Sequence, residues 1–143
     1  MNNMKTFLDI EGRLMDVESF LSKARTIVTI GRASEEAYNV VPLQDEETDV
    51  FQCQLSRADE GWKVQNGQWR TECPKGIRSR LQHACNLCLG RCVNVSPAHP
   101  KYSWRIPEKA TLLNGVALTS EAKVLQDGDV ITIGKTSIKV VVQ

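Results

Sequence analysis

The chain has 143 residues, a length that suits one domain able to bury its own core. Eighteen Lys and Arg stand against 17 Asp and Glu, a formal charge of +1, which excludes bulk attraction to nucleic acid or membrane as the main function. An apolar content of 41% and a mean hydropathy of −0.29 exclude a disordered tail.

Along the chain, Met4 to Ile10 and Thr26 to Ile30 are β-branched or apolar runs. Between them Leu14, Val17, Phe20 and Leu21 recur at helical spacing, which predicts a short helix, while Gly12 and its charged neighbours equally permit a hairpin. From Thr26 onward the pattern becomes a succession of short strands. Tyr38 to Leu43, Val50 to Arg57 and Trp62 to Gln65 are bounded by acidic or Gly-containing turns, and Phe51, Cys53 and Leu55 share one side of the second. Asn66-Gly67 predicts a two-residue hairpin onto Gln68-Trp69-Arg70, and Asn114-Gly115 predicts another between Thr111 to Leu113 and Val116 to Leu118. Val130 to Ile133 and Ile138 to Val142, parted by Gly134, make a last hairpin. This density of strands predicts an all-β sandwich.

Residues 72–109 break the rhythm. They hold four of the five cysteines, both histidines, four of the five prolines, and seven basic residues against two acidic ones. Such a shift, flanked by strands, reads as an insertion, containing a helix or a loop, within one domain spanning residues 1–143; long structured loops often carry function.

The order of strand motifs resembles the forkhead-associated (FHA) domain. Thr29-Ile30-Gly31-Arg32 matches its opening motif, Asn39 to Leu43 its next strand, Leu112-Leu113-Asn114-Gly115 its late Asn-Gly motif, and Leu125 to Gly134 its closing signature. The resemblance implies an eleven-stranded β-sandwich whose end loops read phosphothreonine peptides in signalling. It implies further that Arg32 braces the peptide backbone and that Asn114 bonds the ligand main chain, tasks suited to a guanidinium fork and a primary amide.

One motif departs from the family. Aligning its Ser-Arg-x-His motif on Cys53-Gln54-Leu55 puts Asp49 at the serine, Val50 at the arginine and Gln52 at the histidine. An ionised aspartate repels phosphate and offers it no donor, so the phosphate-contacting set is degenerate. A shift of one residue brings Thr48 into the serine's place, beside the acidic run Asp45-Glu46-Glu47.

The insertion presents Cys85-x2-Cys88-x3-Cys92 with Cys73 upstream, four thiolates that fit a structural zinc. Leu81, Cys85, Cys88 and Cys92 also fall on one face of a helix, where buried thiols act as small apolar groups and need no metal. Cys53 stands alone in an alternating strand and reads as a buried hydrophobe.

No nucleophile with base and orienter, and no Gly-rich phosphate loop ahead of a helix, points to an enzyme. The expectation is an FHA-like protein-interaction module with a protein or phosphoprotein partner. Two alternatives stay open: a metal-stabilised nucleic-acid-binding module using the basic insertion with Trp69, Tyr102 and Trp104, and a purely structural scaffold. No run approaches the roughly 20 apolar residues of a membrane span, and no secretory h-region follows the first residues, so the expected compartment is cytoplasmic.

Overall fold

The computed structural model describes residues 4–22, 26–34, 38–71 and 102–143. The chain opens with a hairpin. β1 (Thr6–Ile10) pairs antiparallel with β2 (Arg13–Asp16) through a two-residue turn at Glu11 and Gly12, whose φ angles are 53° and 85°. Asp9 stabilises that turn by accepting the Gly12 N–H at 3.0 Å. The helical spacing of Leu14, Val17, Phe20 and Leu21 therefore resolves into a strand followed by one 3₁₀ turn, Val17–Phe20. Asp16 caps this turn by accepting the Glu18 N–H, and the Leu21 N–H closes it on the Glu18 carbonyl.

β3 (Ile27–Arg32) runs parallel to β4 (Val41–Leu43) and antiparallel to β5 (Cys53–Ala58). β5 turns back into β6 (Gly61–Asn66), and β6 also pairs with the short β11 (Lys123–Val124). The resulting five-stranded sheet runs β11-β6-β5-β3-β4. Pro42 sits exposed on its edge strand, where a missing N–H breaks no ladder.

The second sheet is built from the two ends of the chain. β9 (Leu112–Leu113), β10 (Val116–Ala117), β12 (Val130–Ile133) and β13 (Thr136–Val142) join the opening hairpin in the order β10-β9-β12-β13-β1-β2. The inner faces of both sheets form one core in which Leu8, Ile30, Leu55, Ile131, Ile138 and Val140 are fully buried. Each such side chain contributes about 2 kcal/mol of apolar transfer. Among the described residues no helix is long and apolar enough to cross a membrane.

Three strand assignments are corrected. The 38–43 run is strand only from Val41, because Asn39 turns its side chain inward to bond the Arg32 and Val50 carbonyls. The 50–57 run is strand only from Cys53, so Phe51 sits in a turn and leaves the Cys53 and Leu55 face. Asn66-Gly67 does not make a hairpin either. β7 (Gln68–Thr71) leaves the five-stranded sheet and pairs instead with β8 (Tyr102–Arg105), a strand within the basic 72–109 stretch. Gly67, at φ 106°, lies so close to Arg105 and Trp104 that a Cβ would collide with the Arg105 carbonyl and crowd the Trp104 indole. Close approach, rather than a reversal, is what this glycine permits. By contrast, Asn114 and Gly115 form the expected turn between β9 and β10, with φ 52° and 83° and Leu113 opposite Val116.

Candidate functional site

Three chain segments meet at one end of the sandwich: the end of β3, the β4–β5 loop, and the approach to β9. The first two meet because Gly31 has no Cβ, which would fall on the Val50 carbonyl and crowd the Asn39 amide. The loop is thus held against the strand end, and the Arg32 N–H donates to the Asp49 carbonyl at 3.0 Å. Behind this contact Gln68 is fully buried and donates to the Ile30 and Cys53 carbonyls and to the Asn39 side chain. The floor of the site is therefore a satisfied polar network, which fixes its shape.

The β4–β5 loop is held by three polar side chains. Asp45 accepts the Glu47 N–H at 2.9 Å, the Lys135 N–H at 2.7 Å and the Thr136 hydroxyl at 2.8 Å, which ties the loop to the β12–β13 turn. These hydrogen bonds, led by that from Glu47 and then that from Thr136, hold its carboxyl below the usual carboxylate range. Asp49 accepts from the Phe51 N–H at 2.9 Å and the Glu108 N–H at 3.2 Å, one bond to each carboxylate oxygen. Gln52, 2% exposed, accepts the Asp49 N–H and donates to the Lys109 carbonyl and the Thr111 hydroxyl. Arg105 lies over the Phe51 ring, 5.6 Å from its centroid.

These contacts enclose a cleft of about 400 Å³ lined by Arg32, Thr48, Asp49, Phe51, Glu108 and Lys109, among others. The Arg32 guanidinium is exposed and, among the described residues, makes one long bond, 3.5 Å, to the Glu46 carbonyl. Thr48 is 1% exposed, and its hydroxyl has no hydrogen-bond partner among the described residues. Two of the three residues expected to contact a ligand, Arg32 and Thr48, are thus brought together.

Asn114 does not line this cleft. Its amide donates to the Asp129 carboxylate at 3.0 Å and accepts the Val130 N–H at 2.8 Å, so both ends of the side chain brace the β9–β10 turn against β12. A positive-φ position facing a strand start needs such a brace, and that requirement accounts for the asparagine. Sequence reasoning passed over Lys109, which reaches the cleft from the loop ahead of β9. Its only signal is its place five residues before the Asn-Gly turn, a spacing that says nothing until the loop is folded.

Cys53 is fully buried on β5, where burial pushes its thiol up to about 12 despite a hydrogen bond with Thr111. Cys73, Cys85, Cys88 and Cys92, the expected zinc ligands, lie outside the described residues. Among the described residues no cluster of three or more His, Cys, Asp or Glu side chains is arranged to hold a metal.

No protein-family model and no curated protein matches the chain. Solved structures do. The FHA domain of an Arabidopsis thaliana hypothetical protein is 22% identical and superposes with a TM-score of 0.55, covering 96% of this chain and 84% of that one. Full-length yeast Pml1p is 13% identical with a TM-score of 0.58, covering 98% of this chain and 83% of that one. The MEK1 FHA domain, solved in complex with a phosphothreonine peptide of HOP1, is 13% identical with a TM-score of 0.53, covering 97% of both chains. The fold is therefore an FHA-type β-sandwich.

Proposed function

We propose that this FHA-type sandwich is a protein-interaction module that receives a peptide segment in the cleft between Arg32, Thr48 and Lys109. The observation that carries the reading is the buried Thr48 hydroxyl, which has no partner among the described residues, in a cleft that Arg32 also lines. A buried hydroxyl without a bond costs about 1 to 3 kcal/mol, a cost that a ligand acceptor would relieve once the loop shifts to admit it. The fold likeness to an FHA domain that holds a phosphothreonine peptide supports a peptide as the ligand. The residues of this cleft depart from phosphate chemistry. Asp49 and Gln52 stand where the family resemblance expects serine and histidine, and both are occupied in holding the loop.

The test is capture from paired peptide libraries, one with phosphothreonine and one with threonine at the fixed position, by the natural chain and by Arg32→Ala. Capture by the natural chain that falls about tenfold in Arg32→Ala, with melting unchanged, is expected for a guanidinium that bonds the ligand. No capture from either library, or equal capture by both proteins, overturns the reading.

Structural zinc on Cys73, Cys85, Cys88 and Cys92 belongs to the same proposal and is supported by the Cys-x2-Cys spacing. Elemental analysis should find about one zinc per chain, lost with a drop in melting temperature in Cys88→Ser. A metal-free chain with unchanged melting favours the packed-helix reading.

A further inference from the structure

Four carboxylates line the cleft, those of Glu46, Glu47, Asp49 and Glu108, against two cations, Arg32 and Lys109. Glu47 differs from the other three in its contacts. Its two carboxylate oxygens reach two lysines from different parts of the fold, Lys109 at 3.8 Å and Lys135 at 3.3 Å. Its backbone N–H is fixed by Asp45, so its position on this ridge is set by the loop. An anionic group therefore already sits at the Lys109 ammonium. A phosphorylated ligand would have to draw Lys109 away from Glu47 and then rest beside a carboxylate left with Lys135 alone. An unphosphorylated ligand faces neither cost.

We infer that Glu47 determines the cleft's specificity, acting as an internal carboxylate that occupies Lys109 and turns the site toward unphosphorylated peptide. The inference rests on the reading of the cleft as a peptide site. Both ion pairs are solvent-accessible, with Glu47 41% exposed, so the discrimination is a graded preference that weakens with salt.

The experiment uses the same paired threonine and phosphothreonine libraries, with the natural chain, Glu47→Gln and Glu46→Gln, each checked for an unchanged melting temperature. The natural chain is expected to prefer the unphosphorylated library. Glu47→Gln is expected to raise the ratio of phosphorylated to unphosphorylated capture about threefold to tenfold, the scale of a freed cation and a removed like charge at a half-exposed position. Glu46→Gln should raise it less, because the Glu46 side chain holds neither lysine. Titration with inorganic phosphate, followed through the amide resonances of Thr48 and Lys109, should show the same order. Capture with a ratio unmoved by Glu47→Gln overturns the inference and leaves the peptide site standing. An equal rise in Glu46→Gln also overturns it, because the general charge of the cleft would then decide. No capture by any of the three proteins removes the peptide site and the inference together.

Discussion

The side-chain amide of Gln52 donates to the Thr111 hydroxyl at 2.9 Å, joining two segments 59 residues apart in the chain. The same nitrogen reaches the Lys109 carbonyl, and the oxygen at the other side of the amide holds the Asp49 N–H. One buried glutamine thus fixes both walls of the cleft. Replacing it with leucine keeps much of the volume and leaves the Asp49 N–H and the Thr111 hydroxyl without this partner. Gln52→Leu is expected to lower stability by about 2 to 3 kcal/mol in urea unfolding and to speed amide exchange at Asp49. Unchanged exchange there would mean that the loop is held without it.

Gly31→Ala should be among the more damaging single-methyl additions in the chain. The new Cβ would meet the Val50 carbonyl and the Asn39 amide, both held by the polar network under the cleft. A loss of about 2 kcal/mol or more is expected, together with weakened peptide capture, since the loop must move outward to make room. Calorimetry and the library assay test the two effects separately.

Asp45 sets an acid limit on the order of the loop. Its folded-state pKa is depressed, so its stabilising contribution is present above the unfolded value of about 3.9 and is lost as pH falls through the lower, folded value. Acidification through this window should release the β4–β5 loop from the β12–β13 turn. Asp45→Asn is expected to flatten the acid limb of stability against pH, and a limb as steep as in the natural chain would contradict this.

Cys53, with its thiol pushed up to about 12 by burial, should resist alkylation at pH 8 in the native state and react only on unfolding. Peptide mapping after native and denaturing labelling tests this directly. Native-state labelling at Cys53 would show that β5 opens readily.

The sandwich was legible wherever local chemistry and tertiary demand agreed. The Asn114-Gly115 turn is such a case, as is the closing hairpin, whose alternation matches the buried pattern of β12 and β13. Asn66-Gly67 carried the same local signal and misled, because tertiary packing against Arg105 and Trp104 took the glycine for another purpose. The first hairpin was ambiguous because its turn places a glutamate at positive φ, a choice that propensity does not favour. At the site, Arg32 and Thr48 were readable by resemblance to a motif. Lys109 and the role of Glu47 were not, because both depend on how loops far apart in sequence come to face each other.

The pairing of Thr71 with Tyr102 has a consequence for how the chain could change over time. It closes the chain across the 30 residues that separate them in the sequence, and the Trp69 and Trp104 rings, edge to face at 5.4 Å, brace the pair. Closing such a loop depends only weakly on its length. The cost of joining the two strands therefore changes little with the length of chain between them, and the β7–β8 pair is where the sequence should best tolerate insertion or deletion.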